Sequence, residues 1–289
     1  MLGIKIILKK DGIICCPICG ELQMTPCPIC QSIRRLAFNS SVLNKYDVDY
    51  FYCDECGFLQ TESPYWLEEA YENPIADADT GLLMRNFTIA KQLSVLLFFC
   101  FDKNGKYLDM AGGYGTLTRM MRDIGFDFYW DDPYCANILA KHFGRTDTKD
   151  TFDGITAFEV LEHIHNPLQF IRDNLSSTGA NTLVCSTELF EKSPPSPEDW
   201  WYYIFPIGQH ISFYQLRTLK TIAKILGMNF RSYSGIHIFS DQPLPSPWMY
   251  NLMLGCLSNQ LSRVPKIVLT SKTSTDSNMI INKFNKILH

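Results

Sequence analysis

The stretch KYLDMAGGYGTLTRMMRDIGFDFYWDD, from Lys106 to Asp132, decides which fold the sequence predicts. KYLDM indicates a short buried strand, and a turn rich in glycine follows it. The apolar residues of TLTRMMRDIG recur with helical spacing, and FDFYW indicates a second strand that ends at two aspartates. A strand, a glycine turn, a helix, a second strand and an acid, in this order, predict the opening βαβ unit of a Rossmann-like α/β domain.

The order of residues in the glycine turn distinguishes two classes of ligand. A dinucleotide-binding turn has the pattern G-x-G-x-x-G and holds a pyrophosphate at the N-terminus of the helix. In this sequence Asp109 precedes the glycines, and its carboxylate would repel a pyrophosphate but suits a ligand with a positive amino group. An acid at the end of the second strand, Asp131 or Asp132, can accept hydrogen bonds from both hydroxyls of a ribose.

These motifs resemble those of the class I S-adenosylmethionine-dependent methyltransferases. The first family motif, D/E-x-G-x-G-x-G, is matched by Asp109, Gly113 and Gly115, and Ala111 replaces its first glycine. FDGITAFEVLEHIHNP, which ends at Pro167, is similar to the family's fourth strand and the helix after it. GQHISFYQL is similar to a segment that precedes a late helix in the same superfamily. The resemblance covers roughly residues 100–240 in order, so it is more specific than any single motif.

The resemblance implies a binding site for S-adenosylmethionine at the glycine turn and at the ends of the neighbouring strands, with the ribose on Asp132. The cofactor-binding residues that it implies are Asp109, Ala111, Gly112, Gly113, Gly115, Asp132 and Phe158.

Three polar residues in the later motifs are candidates for catalysis. Glu162 and His163 follow the fourth strand, and open α/β sheets bind ligands at the carboxyl ends of their strands. His210 lies in GQHISFY. An imidazole can accept a proton from an acceptor hydroxyl or amine near neutral pH, so we predict these three as catalytic residues. A structural role, in which each histidine bonds the backbone, remains the alternative.

The chain contains eleven cysteines, and six of them form three C-x-x-C pairs near its start. Two such pairs complete one tetrahedral Cys₄ zinc site. The alternating residues before Cys53 indicate a strand that delivers the pair Cys53/Cys56 to Cys27/Cys30, as in a zinc ribbon. The pair Cys16/Cys19 could replace one of these pairs or form a site with Cys27/Cys30. We predict one structural Zn²⁺ on Cys27, Cys30, Cys53 and Cys56.

The front of the chain resembles a zinc ribbon found in a subset of these methyltransferases, including sugar methyltransferases of deoxysugar pathways. The matching segments are CPICQS and YFYCDECGFLQTESPYWLEEAY. This resemblance supports the chosen four cysteines and marks Cys16/Cys19 as a departure from the pattern. It also implies a small-molecule acceptor, such as a nucleotide-linked sugar.

Composition excludes other classes of function. The net charge is −4, and 46% of residues are apolar against 19% charged, which is typical of a globular protein. No basic stripe is present, so we do not expect a nucleic-acid partner. The apolar run LSVLLFFCF is too short to span a bilayer, and many cysteines without a secretory signal favour a reducing, cytoplasmic location. We therefore expect no membrane contact, and the sequence leaves the oligomeric state open.

The sequence thus predicts three parts: a zinc ribbon at 1–64, a Rossmann-like methyltransferase domain at 65–240, and short helices at 241–289. The predicted function is S-adenosylmethionine-dependent methylation of a small molecule. An RNA methyltransferase and a non-catalytic, zinc-stabilised interaction protein are the alternatives, and Ala111 is the motif residue that favours the latter.

Overall fold

The computed structural model describes residues 8–9, 12–13, 25–72, 79–255 and 257–287. Cys15, Cys16 and Cys19 lie outside these ranges. The strands, in chain order, are β1 (Leu8–Lys9), β2 (Gly12–Ile13), β3 (Thr25–Pro26), β4 (Ile33–Val42), β5 (Tyr46–Tyr52), β6 (Leu59–Thr61), β7 (Lys106–Met110), β8 (Asp127–Asp131), β9 (Gly154–Phe158), β10 (Thr182–Ser186), β11 (Ser212–Phe213), β12 (Asn229–Tyr233) and β13 (Ile236–Ser240).

The helices are α1 (Leu67–Ala70), α2 (Leu82–Cys100), α3 (Thr116–Ile124), α4 (Pro167–Thr178), α5 (Leu216–Leu226), α6 (Pro247–Leu254), α7 (Ser258–Leu261), α8 (Arg263–Val268) and α9 (Thr273–Ile287). Short 3₁₀ turns occupy Arg145–Asp147, Leu161–His163 and Trp201–Tyr203.

The chain divides into two compact units, each assembled from three segments. The first unit contains Met1–Asn73, Leu161–Phe170 and Thr187–Leu226, and the second contains Pro74–Val160, Ile171–Ser186 and Gly227–His289.

The first unit is built on an antiparallel sheet in the order β11-β6-β5-β4-β3. The alternating residues before Cys53 form the hairpin of β4 and β5, as the sequence predicts for a ribbon. The sheet also includes β11, which pairs with β6 although it lies far along the chain. The core of this unit is aromatic: Trp66, Tyr202 and Tyr203 are each about 1% exposed.

The second unit contains a six-stranded sheet in the order β8-β7-β9-β10-β13-β12. The pairs among β8, β7, β9 and β10 are parallel, and β13 is antiparallel to both of its neighbours. The strand, glycine turn, helix and strand of the opening motif are β7, the turn, α3 and β8. The predicted Rossmann-like α/β class is therefore confirmed, with a small cysteine-bearing module before it and short helices after it.

Helix α2 is longer than the apolar run that the sequence analysis considered. It has 19 residues, and by length and composition alone it could cross a membrane. Its residues Leu93, Leu96 and Leu97 are at most 1% exposed and lie in the hydrophobic core of the second unit. This packing is that of a core helix.

The last helix, α9, is held by a buried ion pair. Asp276 accepts hydrogen bonds from Nε and Nη2 of Arg122, both at 2.8 Å. Arg122 also bonds Asp127 and the carbonyl oxygen of Phe128. The guanidinium thus joins α9 to α3 and β8 within the second unit.

Candidate functional site

The glycine turn follows β7 and leads directly into α3. Ala111 adopts a left-handed φ of 53°, the conformation that favours the glycine usual at this point of the family motif. A Cβ on Gly112 would lie 2.7 Å from the indole of Trp130, and one on Gly115 would lie 2.9 Å from Asn137. Close packing under the turn therefore requires glycine at these two positions.

Asp109 is buried beneath this turn. Its carboxylate accepts hydrogen bonds from the hydroxyls of Thr156, at 2.7 Å, and Thr118, at 3.4 Å. Burial raises the pKa of Asp109 to about 7, although the two hydroxyl hydrogen bonds oppose this shift. The carboxyl group ties the end of β7 to β9 and α3.

Asp132 lies against the turn, just after β8. One carboxylate oxygen accepts the backbone N–H of Gly113 at 2.9 Å. The other accepts the N–H groups of Tyr134, at 2.8 Å, and Cys135, at 2.9 Å. These bonds fix the acid beside the glycine turn, where the sequence analysis expects a ribose.

Asp131, the alternative acid, has different partners. Its carboxylate pairs with Arg145 at 3.2 Å, and Arg145 also bonds Ser177. The backbone carbonyl of Asp131 accepts the N–H of Gly112. The two neighbouring carboxylates therefore bond different parts of the second unit, and that of Asp132 bonds the glycine turn.

In the first unit, the four predicted zinc ligands come together. The Sγ atoms of Cys27, Cys30, Cys53 and Cys56 all lie within 4.8 Å of one another. The Sγ atoms of Cys27 and Cys56 are 3.6 Å apart, and those of Cys30 and Cys53 are 3.4 Å apart. Four thiolates on a tetrahedral zinc at 2.3 Å would be about 3.8 Å apart. The geometry and the donor set both fit zinc.

Both cysteine pairs have the same backbone geometry. The carbonyl of Cys27 accepts the N–H of Gln31, and that of Cys53 accepts the N–H of Gly57. Gln31 and Gly57 both have left-handed φ angles, 64° and 77°. Burial lowers the pKa of the nearby Arg34, and attraction to the cysteine thiolates opposes this shift. A Cys₄ zinc site carries net negative charge, which this guanidinium offsets.

The three predicted catalytic residues also form one cluster within the first unit. One ligand atom from each of Glu162, His163 and His210 lies within 4.8 Å of the others. Glu162 is fully buried. The rings of His163 and His210 meet edge to face, with centroids 4.9 Å apart.

Both histidines hydrogen-bond the backbone through the same ring nitrogen. Nδ1 of His163 lies 3.1 Å from the carbonyl oxygen of Gln209, and Nδ1 of His210 lies 2.7 Å from that of Tyr202. A carbonyl accepts only, so each Nδ1 carries the proton and each neutral ring has its lone pair on Nε2. Burial, with repulsion from His210, lowers the pKa of His163 to about 3.

One comparison with known proteins decides the family. A family model described as a methyltransferase domain matches residues 84–232, just over half of the 289-residue chain. The chain belongs to this methyltransferase family. The predicted S-adenosylmethionine-dependent methyltransferase is thus confirmed at the level of the family.

Several solved methyltransferase structures are similar to this chain at low identity. The methyltransferase is similar to TnmH, with 14% identity over 61% of each chain and a TM-score of 0.44. It is similar to an O-methyltransferase family protein from Burkholderia thailandensis, with 13% identity over 62% of each chain and a TM-score of 0.44. It is also similar to magnesium protoporphyrin IX methyltransferase from Synechocystis PCC 6803, with 12% identity over 61% of this chain and 94% of that one, and a TM-score of 0.36.

The chain spans about three fifths of the length of the first two of these proteins. Similarity this low says nothing about the methyl acceptor. No curated protein is similar enough to the methyltransferase to count as a relative.

The aromatic segment before His210 lies partly in the core of the first unit. Tyr202 and Tyr203 are each 1% exposed and pack in the core of the first unit, whereas Trp201 is 71% exposed. The ring of Tyr202 still contacts His210, at 4.6 Å between centroids. The segment therefore supports the cluster from within the core.

Sequence reasoning missed the residues that hold the methyltransferase's glycine turn. Trp130 covers the turn and donates from Nε1 to the carbonyl of Gly113 at 2.9 Å. Thr118 and Thr156 bind Asp109. An aromatic residue directly before the paired acids was the available signal for Trp130, but nothing local in the sequence marks the two threonines.

Proposed function

We propose that this protein transfers a methyl group from S-adenosylmethionine to a small-molecule acceptor. The observation that carries the proposal is the arrangement of β7, the glycine turn and α3, with Asp132 bonded to the turn at Gly113. An acid at this position suits a ribose, and glycines let the backbone of the turn approach a ligand closely.

Each residue of the proposed cofactor site has a definite role. Asp132 accepts the ribose hydroxyls, and Phe158, half-buried at the end of β9, offers an apolar surface to the adenosyl group. Ala111, Gly112, Gly113 and Gly115 form the turn. Asp109 acts from beneath as a positioning residue that holds the turn in place and biases it towards a cationic ligand.

We propose that Cys27, Cys30, Cys53 and Cys56 bind one Zn²⁺ ion. A closed Cys₄ site leaves no position for a substrate, so this ion would stabilise the fold of the module at residues 1–64. The Rossmann-like domain at 65–240 and the helices at 241–289 complete the proposed division. A cytoplasmic location remains a prediction.

The proposed acceptor site is the cluster of Glu162, His163 and His210. It combines a buried carboxyl group with two imidazoles whose Nε2 lone pairs the backbone hydrogen bonds define. Such a group suits a hydroxyl acceptor that must lose a proton during methyl transfer. The resemblance of the front module to deoxysugar enzymes supports a nucleotide-linked sugar as the acceptor.

The roles of the two histidines as proton acceptors are unequal. A conjugate acid with a pKa near 3 makes His163 a weak base towards a hydroxyl group. We therefore propose His210, and not His163, as the proton acceptor. His210→Ala should lower turnover by about 10²–10⁴-fold and leave cofactor binding near normal.

Calorimetry with S-adenosylhomocysteine tests the proposed cofactor. We expect one site per chain, and a folded protein that does not bind it would favour the interaction-protein alternative. Release of S-adenosylhomocysteine is then measured with nucleotide-linked sugars and with structured RNA as acceptors. Turnover on RNA but not on any sugar would contradict the proposed acceptor class.

A further inference from the structure

The cluster of Glu162, His163 and His210 suggests a second role, which is an alternative to proton transfer by the histidines because it uses the same Nε2 lone pairs. We propose that these three side chains bind a divalent transition-metal cation, separate from the zinc at the four cysteines. The inference deepens the proposed function, on which its catalytic part rests, because it assigns a metal to the acceptor site.

The ligand chemistry is that of a metal centre. Two neutral imidazoles and one carboxylate suit cations such as Mn²⁺, Fe²⁺, Co²⁺ and Zn²⁺, whereas the thiolates of a Cys₄ site select softer cations. Ligand atoms about 2.1 Å from one cation lie about 3–4 Å apart. The three ligand atoms already lie within 4.8 Å of one another, so small side-chain rotations are enough to close the site.

The histidines are prepared for this role by the bonds at their other nitrogen. A metal-binding histidine usually donates its second N–H to a carbonyl or carboxylate, which fixes the tautomer and the orientation of the ring. Gln209 and Tyr202 supply that carbonyl to His163 and His210.

The backbone that carries the ligands is also held in place. The N–H of Ile211 donates to the carbonyl of Glu162 at 2.8 Å. The hydroxyls of Ser212 and Tyr214 donate to the carbonyls of Ile164 and Leu161, both at 2.7 Å. These three bonds join the 3₁₀ turn with Glu162 and His163 to the segment around β11, which follows His210. The backbone of the site is therefore held in place before any cation arrives.

Three protein ligands leave coordination positions open for an acceptor oxygen. A hydroxyl bound to the cation loses its proton to a solvent base more readily, because the cation stabilises the alkoxide. The alkoxide oxygen then forms a bond to the methyl carbon as the bond from that carbon to sulfur breaks. The sulfonium becomes neutral S-adenosylhomocysteine, and the products are an ether and one proton in solvent.

Titration of the zinc-loaded full-length protein with Mn²⁺ tests the site without acceptor or cofactor. Free Mn²⁺ is measured by its room-temperature electron paramagnetic resonance signal, which disappears on binding. We expect one Mn²⁺ per chain, displaced by added Zn²⁺. Glu162→Gln should weaken Mn²⁺ binding at least about tenfold, since even residues that only orient a ligand cost 10–100-fold.

His165→Asn is the matched control. His165 is the neighbouring histidine on the same segment, its side chain is exposed, and it lies outside the cluster. This variant should bind Mn²⁺ as the wild type does. Mn²⁺ binding that is absent from the folded wild type, or unchanged in folded Glu162→Gln, would overturn the proposal.

A second measurement needs no variant. Electron spin echo modulation of bound Mn²⁺ should show coupling to ¹⁴N of imidazole, and an oxygen-only spectrum would refute histidine ligation. Calorimetry with S-adenosylhomocysteine on the same sample separates the two proposals. If the wild type binds Mn²⁺ but not S-adenosylhomocysteine, only the methyltransferase function is contradicted. If it binds S-adenosylhomocysteine but not Mn²⁺, only the metal site is contradicted.

Discussion

Replacing Asp132 tests which acid binds the ribose of the cofactor. Asp132→Asn retains one oxygen, which can still accept the N–H groups of Tyr134 and Cys135. The other oxygen becomes an amide NH₂ group, which faces the N–H of Gly113 as donor against donor. The variant therefore loses a negative charge and one accepted hydrogen bond while most of the loop is preserved.

The expected loss follows from the bonds that a ribose would make. A hydrogen bond to a charged acceptor contributes about 1.5–3 kcal/mol, which corresponds to about 10–150-fold in affinity. Asp132→Asn should thus weaken S-adenosylhomocysteine binding by at least about tenfold. Asp132→Ala should weaken it further, because that change also removes the two bonds that shape the loop at Tyr134 and Cys135.

Asp131→Asn is the matched control, because its carboxylate bonds Arg145 and not the glycine turn. It should change affinity by less than about threefold. The assay is isothermal titration calorimetry, with an unfolding curve for each variant to establish that it is folded. Equal losses in both variants, or unchanged affinity in folded Asp132→Asn, would refute the assignment of the ribose to Asp132.

Three further changes test other parts of the structure. Cys53→Ser should release about one zinc per chain by elemental analysis, whereas Cys16→Ser should retain it; equal loss would show that the wrong pairs were assigned. Asp276→Ala leaves Arg122 buried without its main partner, so denaturant unfolding should show a loss of about 3–5 kcal/mol, and a loss below about 1 kcal/mol would contradict this. Burial by itself raises the pKa of Asp276, but the hydrogen bonds from Arg122 bring this pKa below its ordinary value. The stabilisation that Asp276 gives to the folded protein is complete above the pKa of about 3.9 in the unfolded chain, and it should disappear as pH falls through the lower pKa of the folded protein. The pKa of Asp109 in the folded protein is raised to about 7, so as pH rises the carboxyl group ionises in the unfolded state first. The free energy of unfolding of the wild type should therefore fall as pH rises from about 4 to about 7, relative to that of Asp109→Asn. Parallel curves of unfolding free energy against pH for the two proteins would contradict the raised pKa.

The parts of the fold that the sequence predicted are those encoded locally. The βαβ unit depends on periodicity and glycine spacing within one continuous segment, so its strands and helix could be located before the structure was known. The four cysteines form two pairs with fixed spacing, and a strand before Cys53 delivers one pair to the other. Their grouping in the structure agrees with the prediction, although zinc binding itself remains a proposal.

The parts that the sequence did not predict depend on contacts between distant segments. The pairing of β11 with β6 brings Ser212 beside Gln60, and no local pattern encodes this partner. Asp109 meets Thr156 across neighbouring strands for the same reason. The aromatic residues near Tyr202 could equally have been a substrate surface or a core, because composition alone does not give burial.

Burial of the Glu162 cluster connects its two proposed roles. The same loss of solvation that lowers the pKa of His163 to about 3 weakens that ring as a proton acceptor. The proposed metal site rests instead on the set of ligands and on the separation of at most 4.8 Å among their three ligand atoms. The carboxylate of Glu162 supplies the negative charge of this set of ligands. Coordination by His163 needs no proton transfer to its ring, so Mn²⁺ binding, measured without any methyl acceptor, is the most direct test of what this cluster does.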